Sequence, residues 1–192
     1  MNKKPKNSTL ISLFEWVETF LVALCCVVII FTFVVKFVTV SGSSMERTLH
    51  DGDRLLITDM FYTPKTGDIV VVDVSGNLDL EREHGISSAA PYIKRVIATE
   101  GQVVDIDPET WSVYVDGVKL DEPYVYHCNS DRMYTDPYKK ITYPFTVSEN
   151  CVFVMGDNRN GSTDSRFIDE IHENYILGHV IIRLMPGFGG VE

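Results

Sequence analysis

With 192 residues, 27 acidic against 17 basic side chains and a formal net charge of −10, the chain has length for one compact domain and lacks the basic surface that nucleic-acid partners require. Nucleic acid is therefore set aside, and two independent domains are disfavoured. Of the four cysteines, Cys25 and Cys26 fall in an apolar run, which leaves Cys128 and Cys151 either as a disulfide or as two partly buried thiols. Neither CxxC nor HExxH occurs, so no metal or cofactor is expected.

Lys3, Lys4 and Lys6 open the chain, and an uncharged run of 17 residues then extends from Thr19 to Val35, bounded by Glu18 and Lys36. Trp16 and Val17 before it, and Phe37 to Val40 after it, extend the run to the roughly 20 residues that a bilayer requires. A cleaved secretory signal would have an apolar core of about 7 to 15 residues and a leader without Glu15 and Glu18. The run is read as one transmembrane helix, 19–40, behind a cytoplasmic segment, 1–18. The leading lysines keep the N-terminus inside, so residues 41–192 form an extracytoplasmic domain.

Directly after the span stands Ser41-Gly42-Ser43-Ser44-Met45-Glu46-Arg47-Thr48-Leu49. Glycine and serine let a backbone bend sharply and bring hydroxyls near peptide N–H groups, as covalent catalysis by serine needs. Ordinary loops have the same composition. Beyond it the pattern is mainly β. Arg54 to Thr58 predicts a strand, Pro64 to Asp68 a turn, and Ile69 to Val74 a buried strand. Residues 75–91 turn polar and predict an exposed loop, before strands resume at Tyr92 to Ile97 and Gly101 to Ile106. Trp111 to Leu120 predicts a hairpin about Asp116-Gly117. The aromatic, proline-rich stretch from about 107 to 144 is read as a small inserted β cap. Val147 to Met155 then leads into the polar cluster Gly156 to Arg166, and Gly178 to Leu184 is the last strand. No long helix is expected outside the membrane.

Three elements invite chemistry: Ser44 in its turn, Lys94 in an apolar strand, and the 156–166 loop. Lys94 could equally snorkel from an edge strand, and the loop could be a solvated one. A serine nucleophile needs a base. His50, His84, His127, His172 and His179 stand in no motif, which leaves a Ser/His/Asp triad open but unsupported. A solvated lysine of pKa about 10.4 is neutral only about once in 2,500 at pH 7. Burial among Tyr92, Ile93, Val96 and Ile97 would favour the neutral amine and make Lys94 a general base. Ser162 is a neutral candidate to orient it.

Taken together, Ser44-Met45 with Thr48-Leu49, Gly67-Asp68-Ile69-Val70, Tyr92-Ile93-Lys94-Arg95-Val96, and Gly156-Asp157-Asn158-Arg159 with Ser162 and Asp164-Ser165-Arg166 resemble the bacterial type I signal peptidases. These are membrane-bound serine proteases that cleave signal peptides from exported preproteins. The resemblance covers nearly the whole chain and implies an N-terminal transmembrane helix followed by a mostly antiparallel β catalytic domain. It implies Ser44 as nucleophile, Lys94 as general base, Ser162 as the serine that orients the lysine, and an Asp164–Arg166 ion pair that holds the loop. It places the oxyanion on the Ser44 N–H, with a second donor in some members at the position of Gly42. Val40, Met45, Leu49 and Ile93 match the pockets that accept small residues before the cut, from a substrate bound as an added strand. The implied partners are preprotein signal peptides and the lipid bilayer. The chain departs from the family at Arg47, where proline is usual, and at Asn160-Gly161. Two other readings are a self-cleaving Ser/Lys peptidase of the repressor type and a single-pass membrane binding protein in which Lys94 is structural.

Overall fold

The computed structural model describes residues 8–73, 91–127, 130–135, 141–187 and 189–191. The chain divides into two units, Met1–Lys36 and Phe37–Glu192. In the first, α1 (Ser8–Phe33) contains a stretch, Leu10–Ile29, long and apolar enough to cross a membrane. At 1.5 Å per residue its 20 residues match the roughly 30 Å of a hydrocarbon core. Its large side chains, Phe14, Trp16 and Phe20 among them, stand exposed on all sides. The helix begins earlier than the expected 19 and takes in Glu15 and Glu18. It also stops earlier than the expected 40, because Lys36–Thr39 forms strand β1. The β-branched Val34, Val35, Val38, Thr39 and Val40 continue the apolar run but suit an extended backbone.

Among the described residues the second unit is mainly antiparallel β, with a seven-stranded and a four-stranded sheet. The first has the order β1-β2-β11-β3-β4-β9-β10, with β2 at Arg54–Thr58, β3 at Ile69–Val72, β4 at Tyr92–Thr99, β9 at Cys151–Met155, β10 at Ile171–His172 and β11 at Ile176–Met185. The unbroken apolar runs became its interior strands: β3 and β9 are buried throughout, and β4 is buried from Ile93 to Ala98. Alternation of side chains divides β3 between two cores. Ile69 and Val71 pack with Val40, Met45, Leu49, Leu55, Ile57 and Ile93, whereas Val70 and Val72 pack with Val96, Val152, Val154, Ile168 and Ile171. Truncating a fully buried member such as Ile57 to alanine costs about 2–5 kcal/mol.

The smaller sheet, order β7-β6-β5-β8, comprises β5 (Val103–Asp107), β6 (Ser112–Val115), β7 (Val118–Lys119) and β8 (Phe145–Thr146). Its β6–β7 hairpin turns at Asp116-Gly117, both with positive φ (53° and 77°), which is the backbone that an Asp-Gly pair favours. Pairing of Val103 with Thr146 brings β5 and β8 together, so the sheet begins before 107 and ends after 144. A third core, which includes Ile97, Val104, Val113, Phe153 and Met155, joins the two sheets. The polar loop expected at 75–91 lies outside the described residues up to 90.

Candidate active site

Ser44 is half-buried at the start of a tight turn closed by Glu46 N–H to Ser43 O (3.1 Å), Thr48 N–H to Met45 O (3.1 Å) and Leu49 N–H to Met45 O (2.8 Å). Met45 and Leu49, 1% and 0% exposed, pin the turn to the sheet by their side chains. Lys94 reaches the turn from β4, opposite Val70 of β3. Its Nζ donates to Ser44 Oγ at 3.0 Å, and its ring neighbour Tyr92 lies 5.2 Å away. At 3% exposure Lys94 does not snorkel. Burial lowers its pKa to about 8, with Asp164 and Asp157 pulling it up and Arg166 pushing it down. That leaves roughly a tenth of the amines neutral at pH 7, roughly two-hundredfold more than for a solvated lysine.

The 156–166 loop supports this pair. Asp164 and Arg166, both 0% exposed, form a two-pronged ion pair, with Arg166 Nε to Oδ1 at 2.8 Å and Nη2 to Oδ2 at 2.7 Å. Burial opposes the Asp164 charge, but Arg166 and the Gly156 N–H, 2.9 Å from Oδ2, hold its carboxyl below the usual range. Asp164 also caps α2 (Ser165–Ile168). Gly156 has no room for a side chain, since a Cβ there would lie 2.3 Å from Ser162 Oγ and 2.5 Å from Ser44 O. Ser162 is thus brought beside the Ser44 peptide. Its buried hydroxyl makes no hydrogen bond of good geometry among the described residues, Lys94 included, but its dipole adds to the groups that hold Asp164 charged.

Val40, Met45, Leu49 and Ile93 meet in one apolar cluster under Ser44. Gly42 has φ +89° and open space where a Cβ would stand, and its N–H donates to Asp51 Oδ1 at 2.8 Å. That N–H is thereby committed, and glycine brings no side-chain donor to the position. The Ser44 N–H has no acceptor among the described residues. Arg47 has φ +80°, a backbone that proline, fixed near −65°, cannot take.

The histidines lead elsewhere. Exposed His50 faces Glu46 at 3.9 Å, His127 lies tilted on Trp111, His172 accepts from the Asn174 N–H, and His179 stacks on Tyr62. None of these four is bonded to Ser44, and His84 lies outside the described residues. Cys151 is a buried thiol whose pKa is pushed up to about 11 by burial and then by Glu170. Its expected partner Cys128 is also outside the described residues. Among those residues no group of three or more His, Cys, Asp or Glu side chains converges as metal ligands would.

A set of supporting bonds escaped the sequence reading. Arg95, 3% exposed beside Lys94, grips Asp157 with Nε to Oδ1 (2.9 Å) and Nη2 to Oδ2 (2.8 Å). It also donates to Gly67 O at 2.8 Å and stacks 3.9 Å over Tyr124. Asn158 holds the Ser44 turn by its backbone N–H to Ser44 O (3.0 Å) and its Nδ2 to Ser43 O (3.1 Å). The available signal was an arginine next to Lys94 and an Asp-Asn pair in the densest polar cluster. Chemically, a buried amine of lowered basicity touching a serine hydroxyl can accept its proton and release a nucleophile.

A family model described as signal peptidase, peptidase S26, matches residues 13–185. A signal peptidase I of Bacillus licheniformis is 36% identical over 162 residues, covering 81% of this chain and 78% of that protein. A signal peptidase IB of Staphylococcus aureus is 32% identical over 187 residues, 91% of this chain and 90% of its own. A solved signal peptidase I structure from Enterococcus faecalis aligns at 25% identity with a TM-score of 0.44, over 62% of this chain and 97% of that one.

Proposed function

The chain belongs to the signal peptidase family, peptidase S26, and from that premise we propose that it is a membrane-anchored serine endopeptidase that removes N-terminal signal peptides from exported preproteins, with Ser44 as nucleophile and Lys94 as general base. The observation that carries the proposal is the 3.0 Å contact between Ser44 Oγ and the Nζ of a lysine only 3% exposed. The neutral Lys94 amine takes the Ser44 proton as Oγ adds to the scissile carbonyl. The resulting ammonium gives that proton to the leaving amine, and an acyl ester remains on Ser44. Lys94, neutral again, deprotonates the water that cleaves the ester and returns the proton to Ser44. The uncommitted Ser44 N–H suits the oxyanion. Asp164, Arg166 and Ser162 keep the loop against this pair, and Gly42 keeps the preceding turn open.

Substrate selection follows from Val40, Met45, Leu49 and Ile93, whose apolar cluster favours small residues before the cut. Strand β1 stands at an edge of its sheet, which leaves backbone groups for an added strand from the substrate. The helix α1 anchors the chain in the bilayer with Lys3, Lys4 and Lys6 on the cytoplasmic side, and residues 41–192, with the 107–144 cap, form the extracytoplasmic catalytic domain. Incubation of the purified full chain in detergent with a preprotein tests the reading. Ser44→Ala and Lys94→Ala are expected to abolish cleavage while the protein remains folded by circular dichroism. Cleavage retained by folded Lys94→Ala would overturn the dyad, and cleavage by neither mutant nor parent chain would favour a binding protein.

A further inference from the structure

Thr48 lies four residues after Ser44 and on the far side of Arg47, the one position of the Ser44-to-Leu49 turn with positive φ. Its hydroxyl donates to Asp157 Oδ2, the same oxygen that receives Arg95 Nη2. Its carbonyl accepts from Arg183 Nη1 of β11 at 3.3 Å, and Arg183 reaches in turn toward buried Asp53 at 3.5 Å. Among the described residues, the Arg47 side chain has a single long hydrogen bond, 3.5 Å to Val125 O. The turn is thus gripped by hydrogen bonds at Ser43, Ser44 and Thr48 and by the buried Met45 and Leu49 side chains, while Arg47 between them is exposed. Asn158 binds the carbonyls of Ser43 and Ser44, and Thr48 is bound from two directions.

These bonds close a ring. Ser44 Oγ meets Lys94 Nζ; Lys94 is joined by its peptide to Arg95; Arg95 grips Asp157; Asp157 accepts from Thr48; and the turn leads back to Ser44. We propose that Thr48 is a positioning residue whose hydroxyl, through Asp157 and Arg95, fixes the nucleophile turn to the strand that carries the base. Valine in its place keeps the shape and opens the ring at one bond. The inference rests on the reading of Ser44 and Lys94 as a catalytic pair.

Opening the ring has two consequences. The turn gains freedom about Arg47, and small displacements of reacting atoms are costly. The Asp157 carboxylate also loses a donor and acts more strongly on Lys94, whose other charged neighbours among the described residues, Asp164 and Arg166, are unchanged.

The test compares Thr48→Val, Thr48→Ala and Thr48→Ser with the parent full chain in detergent micelles, by cleavage of a preprotein and by NMR titration of the lysine side chains. For Thr48→Val, kcat is expected to fall about tenfold to a hundredfold with KM within about twofold, a loss of alignment rather than of substrate binding. The acid limb of the profile and the Lys94 titration are expected to move to higher pH. Thr48→Ser is expected to restore both. Parent-like kcat in Thr48→Val, an equal loss in Thr48→Ser, or an unmoved Lys94 titration would overturn the inference. Thr48→Ala carries the comparison should valine prevent folding. A parent chain that cleaves nothing would instead count against the peptidase reading, and the titration then decides the role of Thr48 alone.

Discussion

Lys94 in β4 and Lys119 in β7 are both strand lysines, yet the first is 3% exposed inside the seven-stranded sheet and the second is exposed on the edge of the four-stranded one. Strand β4 is flanked by β3 and β9, whose residues are buried throughout. Among the described residues, strand β7 pairs with β6 alone, and the exposed Lys119 lies opposite the half-buried Tyr114. An ammonium in water keeps its proton at neutral pH, whereas one stripped of water binds it less firmly. The difference between a surface lysine and a buried one of lowered basicity therefore resides in the flanking strands rather than in the lysine itself.

The contrast can be broken in several places. Lys94→Arg keeps a cation at the site but not one that gives up its proton, so cleavage is expected to fall by about a thousandfold or more, read from preprotein turnover. Parent-like rates would show that a positive charge suffices. Asp164→Asn leaves the Arg166 guanidinium buried without its counter-charge and is expected to cost about 3–5 kcal/mol in denaturant unfolding. A loss within the error of the fit would mean that the loop beside Lys94 does not depend on that pair.

The pH dependence sharpens the comparison further. Lys94 has a folded pKa of about 8, below its unfolded value. Between these two pKa values the unfolded chain binds more protons, so stability rises with pH from about 8 to 10.4. Below pH 8 both states carry the proton, and the full cost of burying it, about 3 kcal/mol, is present. Lys94→Met is expected to flatten that rise, which unfolding curves of the two proteins across the window would show. Activity should climb over the same lower limb with a midpoint near 8. The smallest effect is expected at the other lysine: Lys119→Ala should change stability by no more than about 0.5 kcal/mol and leave turnover unaltered. A larger loss would assign the hairpin a part in the site.

How much of this was legible in the sequence depended on distance along the chain. Ile69 to Val72 and Cys151 to Met155 announced themselves as buried strands because their own residues are apolar without interruption. Asp116-Gly117 announced its turn because the backbone it needs is the one those residues prefer. Lys94 could be singled out because a charge stands in an apolar strand, but its contact with Ser44, 50 residues away, needed the fold. The bond from Thr48 to Asp157 spans 109 residues and leaves no local mark at either end. The end of α1 was misjudged for another reason. Val34 to Val40 are apolar enough for a bilayer and β-branched enough for a strand, and pairing with β2 selected the strand.

Position 47 links the chain's sequence history to its backbone. Proline, usual there by the family resemblance, requires a negative φ, and Arg47 has φ +80°. The two residues therefore belong to two different paths of the peptide through the turn. An exchange of arginine for proline would require the turn to rotate as well. Arg47→Pro is therefore expected to pull the turn off its observed backbone, against the bonds at Ser43, Ser44 and Thr48.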